Sequence, residues 1–505
     1  MDQQAAPLIF YYFWAAVALL IGLFWYKKFN LIRLISKIVT FITREDVSTT
    51  SKGGVVPKGY PCWPLIGETP DFIASGYSSR PVAFMLQRKA LYGKVFKTHI
   101  LGFPIIVSTD AEVNKVILQN QGNVFAPNYP KSITKLLGES SVLQMEGFRH
   151  KKFHTIIASF LKSPHLKSSI TNVIQQSVIQ SLSAWRKFNN PFIYIQDETK
   201  KITFEVLVRV LMSLEPSEEL DFFRKEYVEF IKGLICIPVK FPGTRLYKSL
   251  QAKDRMLKMV DRIVDERKHT RINTDEKTAP PQDLVDVLLL EATTDRDSLK
   301  CLPLEWISSN IIELMIPGED TVPTAMTLAV KFLSDFPNAL RQLREENMEL
   351  KERKEQSGEL YAWTDYISLQ FTQNVINETL RMGNIVNGIW RRALKDVEIE
   401  GYLIPKGWCV VASLNSVHMD EEIYENPYQF DPWRWEKTGV TNNNNLTPFG
   451  GGQRLCPGLE LSKLEISIFL HHLVTTYTWE AEADQIVNFP TVKMRNRMPV
   501  KVAPL

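Results

Sequence analysis

The sequence predicts a mainly α protein with small β-sheets: one large folded body behind a single N-terminal transmembrane helix. Three observations carry this. A charge-free apolar run lies near the start of the chain, from Leu8 to Tyr26. Long segments of helical period fill the remainder, interrupted only by short strand-like runs. No internal repeat and no second linker divides residues 71–505. The expected organisation is therefore a membrane anchor at 1–30, a basic and proline-rich linker at 31–70, and one body from 71 to 505.

The run Leu8–Tyr26 has 19 residues, which at about 1.5 Å per residue nearly matches a hydrocarbon core of roughly 30 Å. Phe10, Tyr11, Tyr12 and Phe13 stand at one end and Phe24, Trp25 and Tyr26 at the other, as at headgroup level. Lys27, Lys28, Arg33 and Lys37 follow, so the body is expected on the cytosolic side. A cleaved signal peptide is the competing reading. Its basic residues belong before the apolar run, and no small-x-small cleavage site sits between Tyr26 and Lys28. In the linker, Pro57, Pro61, Pro64 and Pro70 fix φ and favour a semi-rigid spacer.

Within the body, helical periodicity marks Ser168–Trp185, Asp254–Lys268, Glu305–Phe336 and Tyr366–Met382. Strand-like runs begin at Lys94 (KVFKTHI), Ile105 (IIVST) and Trp408 (WCVVASL). Between Asn273 and Asp297 a polar, turn-rich text surrounds DLVDVLLLEA and reads as a surface excursion.

Composition narrows the function classes. With 45% hydrophobic and 23% charged residues the chain is globular, not disordered or fibrous. Sixty basic against 56 acidic residues leave +4, too little for a protein that coats nucleic acid, and no such partner is expected. Five cysteines, Cys62, Cys236, Cys301, Cys409 and Cys456, are scattered without a C-x-x-C pair, so neither a disulfide scaffold nor a zinc module is indicated.

Chemistry concentrates in PFGGGQRLCPGLELSKLEISIFLHHLV. Cys456 sits on a loop at a helix N-terminus, where free N–H groups and the positive dipole end favour a thiolate, the form a metal ligand requires. Gly450, Gly451 and Gly452 permit a tight turn beneath a flat partner, Gly458 permits close approach of the helix, and Arg454 can neutralise a carboxylate. A planar dianionic porphyrin with iron for the sulfur satisfies all of these. A phosphate loop does not fit, because no Lys-Ser/Thr follows the glycines.

The pattern F-x-x-G-x-R-x-C-x-G, met by Phe449, Gly452, Arg454, Cys456 and Gly458, resembles the haem-ligand loop of the cytochrome P-450 family. The resemblance implies that family's fold, haem b (iron protoporphyrin IX) on the Cys456 thiolate, and monooxygenase chemistry using O₂ and electrons from NADPH through a flavoprotein reductase. Other signatures follow in order. Glu378 and Arg381 supply E-x-x-R, whose spacing places both on one helical face. Arg434 in FDPWRW resembles the third member of that structural network.

Gly318-Glu319-Asp320-Thr321 is similar to the oxygen-activation motif on the helix crossing the distal face of the haem. Pro317 and Pro323 lack N–H groups, so the carbonyls of Glu313 and Glu319 lose donors and the helix is expected to open. Thr321 offers a hydroxyl and Asp320 an acid for proton relay. A capped break between two core helices is the alternative reading of the same residues. Pro317 departs from the Ala or Gly common in the family.

By the same resemblance Arg391 is the propionate-binding arginine, and His150 and His154 occupy positions that commonly hold Trp and Arg near the propionates. Their i, i+4 spacing also suits zinc, although no H-E-x-x-H is present and no third ligand is apparent; a plain surface helix is the third reading. His471 and His472 read as core or surface residues. Lys151, Lys152 and Lys463 are candidates for a reductase-docking patch, with ordinary solvation as the alternative.

Across the body the text resembles plant brassinosteroid-pathway hydroxylases, in IPGEDTVPTAMTLAVKFLSDFP, GLICIPVKFPGTRLYKSL and the cysteine segment. This implies hydroxylation of a sterol side chain at C-22 or C-23, by a monomeric, single-pass enzyme of the endoplasmic reticulum with a cytosolic catalytic domain. Another plant steroid, a triterpenoid or a fatty acyl chain suits the same apolar pocket, and a haem sensor without turnover is the contrasting class. The stretch Gly233–Leu246 suits a loop dipping into the bilayer or a buried interhelical loop. Pocket candidates are Phe125 in the segment to Leu137, Leu314, Gly318, Val386 to Ile389, and Phe489.

Overall fold

The computed structural model describes residues 54–505 apart from 61–66, 79, 81, 101–102, 121–122, 187–190, 274–279, 295–302 and 439–444. The predicted anchor lies outside the described residues, as does most of the linker. Among the described residues no helix is long and apolar enough to cross a membrane.

The chain opens with α1 (Thr69–Gly76), α2 (Ala83–Tyr92), the hairpin β1 (Val95–Ile100) and β2 (Phe103–Ser108), α3 (Ala111–Gln119), β3 (Phe125–Pro127) and α4 (Lys131–Leu137). A helical body follows: α5 (Gly147–Lys162), α6 (Pro164–Trp185), the short β4 (Ile193–Tyr194), α7 (Ile195–Met212), α8 (Glu218–Ile231), α9 (Arg245–Asn273) and α10 (Leu284–Thr294). Next come α11 (Glu305–Leu314), α12 (Ile316–Asp335), α13 (Pro337–Ser357), α14 (Trp363–Ile367) and α15 (Gln370–Gly383). Strands β5 (Gly388–Ala393), β6 (Val397–Ile399), β7 (Tyr402–Ile404) and β8 (Cys409–Ser413) precede α16 (Leu414–His418) and α17 (Arg434–Thr438). The end is α18 (Leu459–Val474) with β9 (Tyr477–Ala481), β10 (Ile486–Val487), β11 (Lys493–Met494) and β12 (Pro499–Pro504).

Five strands form one sheet in the order β1-β2-β8-β5-β3, with β2 and β8 parallel and the other pairs antiparallel. Both its faces are covered. Val95, Ile106, Val113, Ile117 and Phe125 fill one side, and Phe84, Phe96, Ile105 and Val107 the other. Double burial explains why WCVVASL reads as a continuous apolar run instead of alternating. The large core is helical and collects buried side chains from α5 through α18.

The opening expected at Pro317 is present: Glu305–Phe336 is two helices, α11 and α12, parted at Met315 two residues before that proline, where the N–H that would bond the carbonyl of Glu313 is missing. Three other expectations are corrected. The helix runs through Pro323, whose own carbonyl accepts from the hydroxyls of Thr199 at 3.2 Å and Thr327 at 2.7 Å. The segment DLVDVLLLEA is not a surface excursion: Leu284, Val285, Leu288 and Leu289 are buried, and Arg267 reaches Asp283 at 2.6 Å. Tyr366–Met382 is likewise divided, α14 closing before Ser368 and α15 opening at Gln370.

One core group works against its surroundings. Glu465 on α18 is 1% exposed, and burial alone pushes its carboxyl up to about 8. The folded state then holds a proton that the unfolded chain releases above its ordinary value near 4.5. Stability from this group is full below that value and falls as pH rises toward 8. Glu465→Gln is therefore expected to match the parent at pH 4.5 and exceed it by a few kcal/mol at pH 8, read by thermal unfolding across that range. A gap that narrows with rising pH would contradict the assignment.

Candidate active site

The glycine-rich loop turns through positive φ at Gly450 (74°) and Gly452 (61°). A Cβ on Gly452 would stand 2.3 Å from the carbonyl oxygen of Leu118, so this glycine lets the loop lie on α3. The sequence predicts that the glycines approach a flat ligand; at Gly452 the close approach is to protein backbone. Cys456 N–H donates to the carbonyl of Phe449 at 3.1 Å, which closes the loop at the start of α18. Beside the sulfur, a Cβ on Gly458 would meet only Cys456 Sγ, at 3.9 Å.

Burial pushes the Cys456 thiol up, and the Gly458 N–H opposes this. A cation at the sulfur would favour the thiolate against this burial.

Above the loop lies a cluster of unpaired positive charge. Arg391 on β5 is 5% exposed and donates only to the carbonyl of Trp390, at 3.2 Å. Arg454 donates to the carbonyls of Leu143, at 3.1 Å, and Met145. Among the described residues neither guanidinium has a carboxylate within ion-pair distance. Burial lowers both, Arg454 to about 10, and the two charges oppose each other. Both charges reach Tyr129: burial raises its phenol while both arginines pull it down. A buried and a half-buried cation without anions among the described residues fit a ligand bearing two carboxylates, the edge chemistry of a porphyrin.

His150 is 8% exposed and lowered to about 4, first by burial and then by the charges of Arg454, His154 and Arg391, so it is neutral at pH 7. His154 Nε2 is 2.7 Å from the carbonyl oxygen of Leu455, and the two rings pack 5.5 Å apart. His154 thus ties α5 to the residue before Cys456.

On the other proximal flank, Glu378 accepts from Arg381 through Nη2 at 2.8 Å and Nε at 2.9 Å, and from Arg434 Nε at 3.0 Å. Trp435 Nε1 and the Asp431 N–H add bonds, each at 3.1 Å, and Arg381 donates to the carbonyl of His418 at 2.7 Å. Glu378 and Arg381 side chains are fully buried. The predicted three-residue network is assembled, with Trp435 and His418 as members that no spacing announces.

On the distal side, Leu314 at the end of α11 is half-buried; on α12 Pro317 is exposed and Thr321, one turn further on, half-buried. Thr321 Oγ1 donates to the carbonyl of Pro317 at 3.1 Å. Gly318 faces elsewhere: its Cβ would sit 2.3 Å from Leu207 Cδ1, so it packs on α7 and does not line the open face. Glu319 pairs with Lys200 at 2.7 Å, and burial raises Asp320 against the pull of Lys200 and Lys493.

Val386 is exposed and Ile389 half-buried at the start of β5. Phe489 lines a cavity with Phe72, Asn384, Gly388 and Val492. Phe125, by contrast, is 3% exposed, paired with Ala393 across β3 and β5 in the sheet core, and lines no open face. Lys463 is half-buried, donates to Asn377 Oδ1 at 2.8 Å and is lowered by burial, so it is not simply solvated. His471 is core, 3.0 Å from Asn347.

A helical body with a small mixed sheet, a cysteine loop under a cationic cradle, and a broken distal helix define a haem-thiolate protein. The cytochrome P450 family model matches residues 57–501, and the chain belongs to that family. It is 63% identical to 3-epi-6-deoxocathasterone 23-monooxygenase CYP90C1 of Arabidopsis thaliana over 90% of this chain and 85% of that one. Identity is 48% to the Arabidopsis 3-epi-6-deoxocathasterone 23-monooxygenase CYP90D1, covering 94% and 95%. To cholesterol 22-hydroxylase CYP90B27 of Paris polyphylla it is 38%, covering 93% and 96%. Among solved structures, retinoic acid bound cyanobacterial CYP120A1 superposes with a TM-score of 0.75 at 25% identity, covering 89% of this chain and 99% of that one.

Proposed function

We propose that the protein is a membrane-bound haem-thiolate monooxygenase that hydroxylates a steroid side chain at C-23. The observation that carries this reading is 63% identity, over nine-tenths of the chain, to a relative named as a steroid 23-monooxygenase. The 22-hydroxylase relative keeps C-22 as the second reading.

Cys456 would hold the iron, with Arg391, Arg454 and Tyr129 for the carboxylates and His150 as a neutral neighbour. When bound, a thiolate-ligated haem supplies O₂ activation and O–O cleavage. The chain's own residues then have distinct tasks. Leu314, Val386, Ile389 and Phe489 exclude water and hold an apolar substrate. Thr321 holds a hydroxyl in the first turns of α12, bonded to the carbonyl of Pro317. Asp320, kept basic by burial, takes protons from the Lys200–Glu319 side and passes them toward Thr321.

Electrons come from NADPH through a flavoprotein reductase. Exposed Lys151, with the exposed apolar Phe148 and Leu455 beside the cysteine loop, offers that partner a mixed basic and apolar face. Ile235, Ile237, Val239 and Phe241 are exposed between α8 and α9, supporting a loop that enters a bilayer where a sterol partitions. The expected location is the endoplasmic reticulum membrane.

The test is turnover of the full chain with reductase, NADPH and a panel of steroids with or without a side-chain hydroxyl, with products located by mass spectrometry. Product at C-23 is expected. Product confined to C-22 would select the second reading, and oxidation of fatty acids or triterpenoids alone would overturn both.

A further inference from the structure

The segment between α4 and α5 has no strand or helix to satisfy its backbone, and side chains from two distant parts of the chain supply the bonds. From α11, Asn310 Oδ1 accepts the Val142 N–H at 3.0 Å while its Nδ2 donates to the carbonyl of Ser140 at 3.0 Å. One turn on, Glu313 Oε1 accepts the Leu143 N–H at 2.9 Å. From the cysteine loop, Arg454 donates to the carbonyls of Leu143 and Met145. Leu143 is thus gripped by its N–H from the distal helix and by its carbonyl from the loop that carries Cys456.

Asn310 is fully buried and Glu313 4% exposed. A carboxylate at that depth needs a purpose, since burying it is costly. Glu313's second oxygen is buried without a well-formed hydrogen bond, with the Ser141 hydroxyl beside it. On the outer side, Lys253 of α9 caps the end of α4 through the carbonyls of Leu136, at 3.1 Å, and Leu137, at 2.7 Å. Among the described residues Arg454 in turn has no carboxylate within ion-pair distance, and its hydrogen bonds go to these two carbonyls, Leu143 and Met145.

We propose that Glu313 is a positioning residue for the cofactor cradle: through the Leu143 peptide it fixes Arg454, and so couples the distal helix to the proximal loop. Asn310 fixes the preceding peptide of the same segment. The break at Met315 lies two residues beyond Glu313, so a movement of α11 relative to α12 shifts the Leu143 peptide and Arg454 with it. The inference rests on the haem-thiolate reading but not on which steroid is hydroxylated.

The experiment is the rate of haem transfer from the full-length holoprotein to excess apomyoglobin, with thermal unfolding recorded alongside. Glu313→Ala is expected to speed haem loss about tenfold, the lower end of what an outer-shell partner contributes. Glu313→Gln keeps an acceptor for the Leu143 N–H and is expected to restore most of the retention. An unchanged rate in E313A, or E313Q as fast as E313A, overturns the proposal. If E313A does not fold, hydrogen exchange of the Leu143 amide in the parent and in E313Q decides: protection in both supports it, and exchange at the rate of an unbonded loop amide refutes it. A double-mutant cycle with Arg454→Lys is expected to show coupling, and strict additivity would contradict the shared peptide. Haem loss is read without substrate, so failure of the steroid assignment leaves this result unaffected.

Discussion

Cys456→Ser is expected to lower hydroxylation by more than about 100-fold, beyond the range seen when only an outer-shell partner of a metal ligand is removed. The serine hydroxyl does not ionise near neutrality, so neither the negative ligand nor its electron donation remains. The reduced carbon monoxide complex reads the same change spectroscopically: the Soret band leaves the thiolate position. The loop itself should persist, because its closure uses the backbone of Phe449 and residue 456 and the positive φ of Gly450 and Gly452, none of which involves the sulfur. Folded Cys456→Ser protein with undiminished turnover would end the assignment.

Glu378→Ala has the largest expected effect on folding. It leaves Arg381, fully buried, and Arg434, nearly so, without their shared anion, together with an unmet Trp435 N–H. Removing one partner of a buried pair costs about 3–5 kcal/mol, against a total stability of about 5–15 kcal/mol. Little soluble holoprotein should accumulate. Glu378→Gln should be less damaging, since the amide oxygen still accepts some of these bonds. Haem content per folded protein in both variants, from absorbance and circular dichroism, checks the order. Equal yields of holoprotein from E378A and the parent would show that the network is not structural.

Legibility in the sequence follows contiguity. The cysteine loop is a single short stretch whose turn, cap and sulfur are all local, so the order of its residues suffices to place them. Glu378 and Arg381 are one turn apart and equally local, whereas Trp435 and His418 reach them only through tertiary packing. The same holds for Asn310, Glu313 and Tyr129, which meet segments distant in the chain. Gly318 faces away from the expected side because the break before Pro317 resets the helical phase, and counting from Leu314 no longer says which way a residue points. Phe125 reads as a loop residue because β3 has only three residues, too few for period-two alternation to register. Lys463 reads as solvated because a charge on an amphipathic helix usually is.

The distribution of strand partners bears on biosynthesis. The last strand, β12, runs between β4 and β9, so Tyr194 waits for Pro499 and Ile193 for Val500. In the larger sheet, β2 must wait for β8, some 300 residues later. A growing polypeptide emerging at about 5–20 residues per second therefore exposes its early strands well before either of these two sheets can close. Arg454 and Cys456 follow β8 and precede β12 in the chain. A chain lacking β12 leaves β4 and β9 without their shared partner and is expected to hold less prosthetic group, read as haem content of the truncated protein.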